Sequence, residues 1–210
     1  MLDLLTRGGP VMIAILICSV AALTIILERL FLIRSTKKRM QEFIVRVQGI
    51  LQYGHYGEVE KTCQEYPNPM ARIILSALDK VGHDETHIQE AIQNAGKREA
   101  TRLEKNMTGL ATIVSGAPLL GFLGTTLGMI EAFQQIESLG GNVNASVLAG
   151  GIWEAMLTTA AGLTVAVPTL FAHNYIGSKI KEVVGNLEEA SQTVLESLRR
   201  NASNPNTPAE

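Results

Sequence analysis

Between Lys105 and Lys179 the chain runs for 73 residues without a single Lys or Arg, and its only carboxylates in that stretch are Glu131, Glu137 and Glu154. Water-soluble folds cover themselves with charged side chains, so a stretch of this length has to lie out of water. Residues 34–105 are the opposite: they hold 22 of the 38 charged side chains, 12 basic and 10 acidic. The pattern is that of an all-α integral membrane protein with a charged, water-exposed middle, in contact with membrane lipids. A 46% apolar share, 18% charged residues and a mean hydropathy of +0.17 fit this class. A net charge of −2, with no long basic run or stacking platform, excludes a nucleic-acid binder. Cys18 and Cys63 are the only cysteines, which excludes a disulfide framework.

Three spans are expected. The first, residues 10–33, is about 24 residues or roughly 36 Å as a helix, enough for a ~30 Å hydrocarbon core. Its charges, Glu28 and Arg29, fall at the end where side chains snorkel to water. A signal peptide is the rival reading, but the stretch is too long and Asp3 weakens a positive leader. Ile17 is too large for lipoprotein processing at Cys18, so a retained helix is expected after a short external segment, residues 1–9. The second and third spans are residues 106–136 and 147–176. The loop between them, residues 137–146, carries the turn-forming pair Gly140-Gly141, so the two spans make an antiparallel hairpin.

Positive charge sets the orientation. Arg34, Lys37, Lys38 and Arg39 follow the first span; Lys97, Arg98, Arg102 and Lys105 precede the second; Lys179 and Lys181 follow the third, whereas the other side has only Arg7. The expectation is N-out and C-in, with long cytoplasmic helical extensions at 34–105 and 177–200 and a disordered tail at 201–210. On this topology Cys63 should react with an impermeant thiol reagent only after the membrane is opened.

Within 40–82, short helices are expected with breaks at Gly54, Gly57 and the Pro67-Asn68-Pro69 turn. A new helix should start near Thr86, with Thr86 and Gln89 as a capping box, and run without interruption into the second span. Ile180, Val184, Leu187, Val194 and Leu198 form an apolar stripe after the third span, interrupted by Ser191. His83 and His87 stand four apart, but they straddle a helix start and lack a third ligand, so no metal is expected. No nucleotide-binding or hydrolase motif occurs, and neither a cofactor nor an enzymatic activity is expected.

The hairpin carries the chemistry. Gly121, Gly124 and Gly128 on one span and Thr158, Gly162 and Ala166 on the other, with Ala155 and Thr159 beside them, form small-residue stripes that admit close packing, within one chain or between copies. Pro118 and Pro168 free the carbonyls of Val114 and Thr164, which either water in a cavity or local helix adjustment and Ser/Thr hydroxyls would satisfy. Glu154 lies roughly 10 Å deep if the span starts at Val147, or among headgroups if it starts later. Counted from the outer ends, Thr125 and Thr159 fall at about 16 and 18 Å, a common depth that permits a polar layer. Each hydroxyl alone is equally able to bond its own i−4 carbonyl.

APLLGFLGTTLGMIEAF at 117–133 and GGIWEAMLTTAAGLTVAVP at 150–168 together closely resemble the paired-helix signature of the MotA/TolQ/ExbB proton-channel family. A looser likeness extends through 54–78, and the N-out, three-span layout looks like the ExbB/TolQ branch, since MotA has four spans. The resemblance implies a homopentamer in the bacterial inner membrane, enclosing the single spans of an ExbD/TolR-like dimer whose membrane aspartate carries the proton. It further implies a TonB/TolA-like envelope protein downstream. By the same resemblance Thr125 and Thr159 match pore-lining threonines and Glu154 matches the glutamate near the outer mouth. His173, beside the matching Asn174, stands where relatives often have tyrosine. A passive membrane scaffold is the alternative function, and an enzyme the third.

Overall fold

In a bilayer every backbone N–H and C=O must be satisfied within its own segment, so long uncharged runs have little choice but helix. A computed structural model describes residues 9–51, 55–138 and 145–202, and every element in them is a helix. In chain order these are α1 (Gly9–Leu51), α2 (Tyr56–Glu65), α3 (Pro69–Leu78), α4 (Glu85–Glu104), α5 (Met107–Ser138) and α6 (Ala145–Ala202). Three stretches are long and apolar enough to cross a membrane, one each in α1, in the α4–α5 run and in α6. Arg7, the expected break at Gly54, the Gly140-Gly141 turn and residues 203–210 lie outside the described residues.

The chain divides into two compact units, Met1–Glu28 with Asn106–Ile176 and Arg29–Lys105 with Gly177–Glu210. In the first unit α5 and α6 meet along a seam of small residues. A methyl added at Gly124 would lie 2.5 Å from Thr158 Oγ1, one at Gly128 2.9 Å from Ala155 Cβ, and one at Gly162 2.5 Å from the Ala117 carbonyl oxygen. Gly151 sits in the same way against Ala132 and Gly121 against the Thr158 and Thr159 backbone. Ala117, Gly121, Gly124, Gly128 and Ala132 on α5 follow a four-three-four-four spacing, as do Gly151, Ala155, Thr158, Gly162 and Ala166 on α6. The seam leaves large side chains outside: Phe122, Leu119, Trp153, Met156 and Phe171 are all more than 55% exposed, as a helix hairpin surrounded by lipid or by further protein requires.

The second unit is held by a core and by paired charges. Asn68 caps α3 by accepting from Ala71 N at 3.0 Å, and Pro69 opens it, so Met70, Ile73, Ile74 and Ala77 enter the core in register. Glu99 is buried at 4% exposure, where Arg72 holds it through two bonds (2.8 and 2.5 Å) and Arg102 through a third (3.1 Å). That bond and charge raise the Arg72 guanidinium pKa. Glu182 accepts from Lys179 and Lys37 at 2.8 and 2.5 Å, and the two ammonium groups pull its carboxyl down to about 2. Arg29, buried, donates to the carbonyls of Arg102 and Leu103, capping the C-terminal end of α4 with a positive charge. Arg199 pairs with Glu85.

Several local expectations need correction. Gly57 lies in the first turn of α2 instead of breaking the chain, and α1 continues unbroken to Leu51. α4 starts at Glu85, capped by Asp84, whose side chain accepts from Glu85 N; the Thr86 capping box does not form. The run from α4 into α5 is not continuous. It breaks at Lys105-Asn106, where Asn106 adopts φ +66°, a left-handed conformation that asparagine tolerates better than most residues. The apolar stripe of α6 runs through Ile180, Val183, Leu187, Ala190 and Val194, so Val183 takes the place assigned to Val184. Ser191 does not interrupt it, because its hydroxyl bonds Leu187 O at 2.6 Å. Residues 201 and 202 are still helical. Cys63 cannot report topology: it is 2% exposed and burial, helped by Glu60, pushes its thiol up to about 12.

Two outcomes follow. Against an unfolded thiol near 8.5, Cys63 in the native protein at pH 8 should alkylate roughly a hundredfold or more slowly than in denaturant, measured with iodoacetamide and mass spectrometry. Because the folded thiol ionises only near 12, this group's contribution to stability is complete below about pH 8.5 and is lost as pH rises from there towards 12. At the seam, Gly162→Leu should separate α5 from α6 and cost about 1–3 kcal/mol or more, read as a lowered Tm in detergent, whereas Gly116→Leu, at a position open to its surroundings, should cost little.

Candidate functional site

The close approach of α5 and α6 lets hydroxyls on one helix reach carbonyls on the other. Thr125 Oγ1 is hydrogen-bonded to Thr159 Oγ1 across the seam, and also donates towards Ala155 O at 3.0 Å and Gly121 O at 3.2 Å. Thr159 Oγ1 reaches Gly121 O at 3.1 Å, and Thr158 Oγ1 reaches Gly121 O at 3.2 Å and Ala155 O at 2.8 Å. Three hydroxyls therefore converge on the Gly121 carbonyl, and two of them also on that of Ala155. Each hydroxyl has one proton to donate and more than one acceptor in range, so the cluster can hold its protons in alternative arrangements.

Other hydroxyls on these helices behave differently. Thr112, Thr126, Thr164 and Thr169 each bond the carbonyl four residues back within their own helix, at 2.6–3.0 Å. The cluster is thus set apart by where it lies on the seam, and glycine at 121 and 124 is what leaves the space for it. Thr158 is buried, while Thr125 and Thr159 are half-buried on one flank.

Glu154 is not gathered into this cluster. It lies five residues before Thr159, which turns it about 140° around the helix axis, onto the other flank of α6. It is half-buried and, among the described residues, forms no side-chain hydrogen bond or ion pair. The prolines sit inside unbroken helices: α5 continues through Pro118 and α6 through Pro168. Among the described residues no hydroxyl donates to the Val114 or Thr164 carbonyl that each proline frees; Ser115 turns to Ala111 O at 3.2 Å and Thr169 to Val165 O. Ala166 is buried on the seam. His173 Nδ1 lies 3.4 Å from Asn174 Oδ1.

Four contributors are not marked as such by the sequence. Thr158 was read as a packing residue, yet its hydroxyl crosses to α5; Gly151, Ala117 and Ala132 extend the seam at both ends. The matched four-three-four-four spacing on the two helices was the available signal. The His83 and His87 rings lie 6.3 Å apart on the surface, and among the described residues no group of three His, Cys, Asp or Glu side chains is placed to hold a metal.

A profile of the MotA/TolQ/ExbB proton channel family matches residues 65–189, which take in α5, α6 as far as residue 189, and the threonine cluster. The ExbB-like 3 protein of Synechocystis sp. is 34% identical over 190 residues, covering 86% of this chain and 90% of that relative. An ExbB homolog of Methanothermobacter thermautotrophicus is 26% identical over 189 residues, 89% of this chain and 66% of the relative. The biopolymer transport protein ExbB of Xanthomonas campestris pv. campestris is 36% identical over 146 residues, 61% of this chain and 57% of the relative. With more than half of its length matched by the family profile and a relative above 30% identity along most of both chains, this protein belongs to the MotA/TolQ/ExbB proton channel family, in its ExbB-like branch.

Proposed function

We propose that this chain is the channel-forming subunit of a bacterial inner-membrane machine that converts proton-motive force into work on the cell envelope, of the TonB or Tol type. The observation that carries the reading is the Thr125–Thr159–Thr158 cluster, a set of exchangeable hydroxyl protons at the middle of an otherwise apolar hairpin. The cluster lacks a titratable acid of its own, so it lines a path for protons and does not store them. A carboxylate supplied by an ExbD/TolR-like single-span dimer, held within a homopentamer of this chain, completes the relay. A TonB/TolA-like protein takes up the resulting motion.

Glu154, at the outer part of α6 on the flank away from Thr159, serves in this reading as the acceptor at the outer mouth. The chain is inserted N-out and C-in, so the Lys- and Arg-rich ends of the spans face the cytoplasm. A passive scaffold would use the same seam for assembly alone and would need no hydroxyl on it.

The decisive experiment is proton flux into vesicles holding the chain with its co-purified partner. Thr159→Val and Glu154→Gln should each lower flux at least about tenfold, the scale of losing one positioned proton-transfer group. Thr126→Val, whose hydroxyl bonds only its own helix, should leave flux unchanged. Stability separates the effects: losing one interhelical hydroxyl bond costs about 0.6–1.7 kcal/mol, so the oligomer of Thr159→Val should still assemble in detergent. Unchanged flux in both Thr159→Val and Glu154→Gln would leave the scaffold reading standing.

A further inference from the structure

The hydroxyls of Thr125, Thr158 and Thr159 have three protons to place, and the acceptors around them can be counted. In an α-helix each carbonyl accepts the N–H four residues on, so the Gly121 carbonyl already takes the Thr125 N–H within α5, and the Ala155 carbonyl takes the Thr159 N–H within α6. A carbonyl oxygen has two lone pairs, which leaves one at Gly121 and one at Ala155 for side chains. Three protons therefore meet two carbonyl places. The third has to go to a hydroxyl oxygen.

The distances decide which one. Among the described residues Thr158 Oγ1 has only carbonyls in range, Ala155 O at 2.8 Å and Gly121 O at 3.2 Å. Thr125 Oγ1 reaches both carbonyls and the Thr159 hydroxyl, whereas Thr159 Oγ1 reaches Gly121 O and the Thr125 hydroxyl. If Thr158 donates to Ala155 O, one of the other two takes Gly121 O and the remaining one donates to its oxygen. If Thr158 donates to Gly121 O, Thr125 takes Ala155 O and Thr159 donates to Thr125. The Thr125–Thr159 bond is made in either case. Without the Thr158 proton the count changes to two protons for two carbonyls, with Thr125 on Ala155 O, Thr159 on Gly121 O and nothing to hold the two hydroxyls to each other.

Thr158 is placed to enforce this. It is 3% exposed, so solvent offers its hydroxyl no other acceptor. It also departs from the habit of Thr112, Thr126, Thr164 and Thr169, which bond the carbonyl four residues back, by turning to the third carbonyl back and across the seam. Gly124 makes the room, since a methyl there would lie 2.5 Å from Thr158 Oγ1. We infer that Thr158 is a positioning residue: by occupying a carbonyl that Thr125 or Thr159 would otherwise use, its hydroxyl obliges those two to bond each other across the seam. The inference deepens the channel reading and rests on it only for what the bridge conducts.

A double-mutant cycle of Thr125→Val and Thr159→Val, read as unfolding of the full-length chain in mixed detergent, measures the bridge itself. With Thr158 present the two substitutions should be coupled about three- to tenfold in the unfolding equilibrium constant, the range of interhelical hydroxyl bonds in membranes. In a Thr158→Val background the coupling should vanish, and Thr158→Ser, which brings the hydroxyl back, should restore it. Thr158→Ala, which places no methyl against the two carbonyls, gives the same readout should the valine variant fail to assemble. No coupling in the native chain, or coupling that persists undiminished without the Thr158 hydroxyl, overturns the inference whatever the flux. Proton flux into vesicles holding the chain with its co-purified partner separates the two readings: Thr158→Ala should lower it about tenfold, the scale of losing one positioned proton-transfer group. Lost coupling with undiminished flux upholds the positioning role of Thr158 and overturns conduction through the Thr125–Thr159 bridge.

Discussion

The structure of the hairpin depends on side chains that are absent. In lipid there is no hydrophobic drive to bring two apolar helices together, so they associate only as far as van der Waals contact and hydrogen bonds allow. A Cβ on Gly124 would occupy the space of the Thr158 hydroxyl, and one on Gly162 would press into the Ala117 carbonyl. Because neither exists, the two backbones come near enough for threonine hydroxyls to bond across the seam. The seam and the polar cluster are therefore one feature. A larger residue at the seam would remove the hydrogen bonds along with the contact, even with every threonine still in place.

How far this could be read from the sequence differs from residue to residue. The absence of Lys and Arg from 106–178 dictates membrane helices, and counting from the loop places Thr125 and Thr159 at one depth; in the structure their hydroxyls touch. Depth says nothing of azimuth, however. Glu154 and Thr159 look like neighbours along the chain, and only the rotation of 100° per residue puts them on different flanks of α6. The break at Asn106 escaped for a different reason. Neither proline nor glycine marks it, and asparagine's tolerance of the left-handed region is a permission that tertiary contacts, here the bond to Glu28, have to call upon. Cys63 shows the same limit in the charged middle: a polar neighbourhood in sequence gave no sign that the thiol itself would be enclosed.

The two units solve the problem of buried polar groups by different means. The first buries hydroxyls and backbone carbonyls, neutral groups whose bonds rearrange at small cost, and keeps its Lys and Arg count at none between Asn106 and Ile176. The second uses full charges, some buried (Arg29, Glu99) and some partly exposed (Glu182), and fixes each with partners. Arg29 caps α4, and Lys179 and Lys37 hold Glu182 ionised down to about pH 2, so its ion pairs persist across any physiological pH. One unit is built from interactions that can exchange, the other from interactions that do not.

Two glutamates make the difference concrete. Glu99 is nearly as buried as any apolar core residue, yet three guanidinium bonds from Arg72 and Arg102 compensate its lost hydration. Removing one arginine would leave a buried charge without adequate partners, so this carboxylate is a structural tie between α3 and α4. Glu154 has no such clamp among the described residues. It is half-buried, on the flank of α6 away from Thr159. Of all the carboxylates on α5 and α6 inside the unpaired stretch, it is also the one nearest in sequence to the threonine cluster. Fixed partners, more than burial alone, make Glu99 a structural tie, whereas the half-buried Glu154 ties nothing together among the described residues.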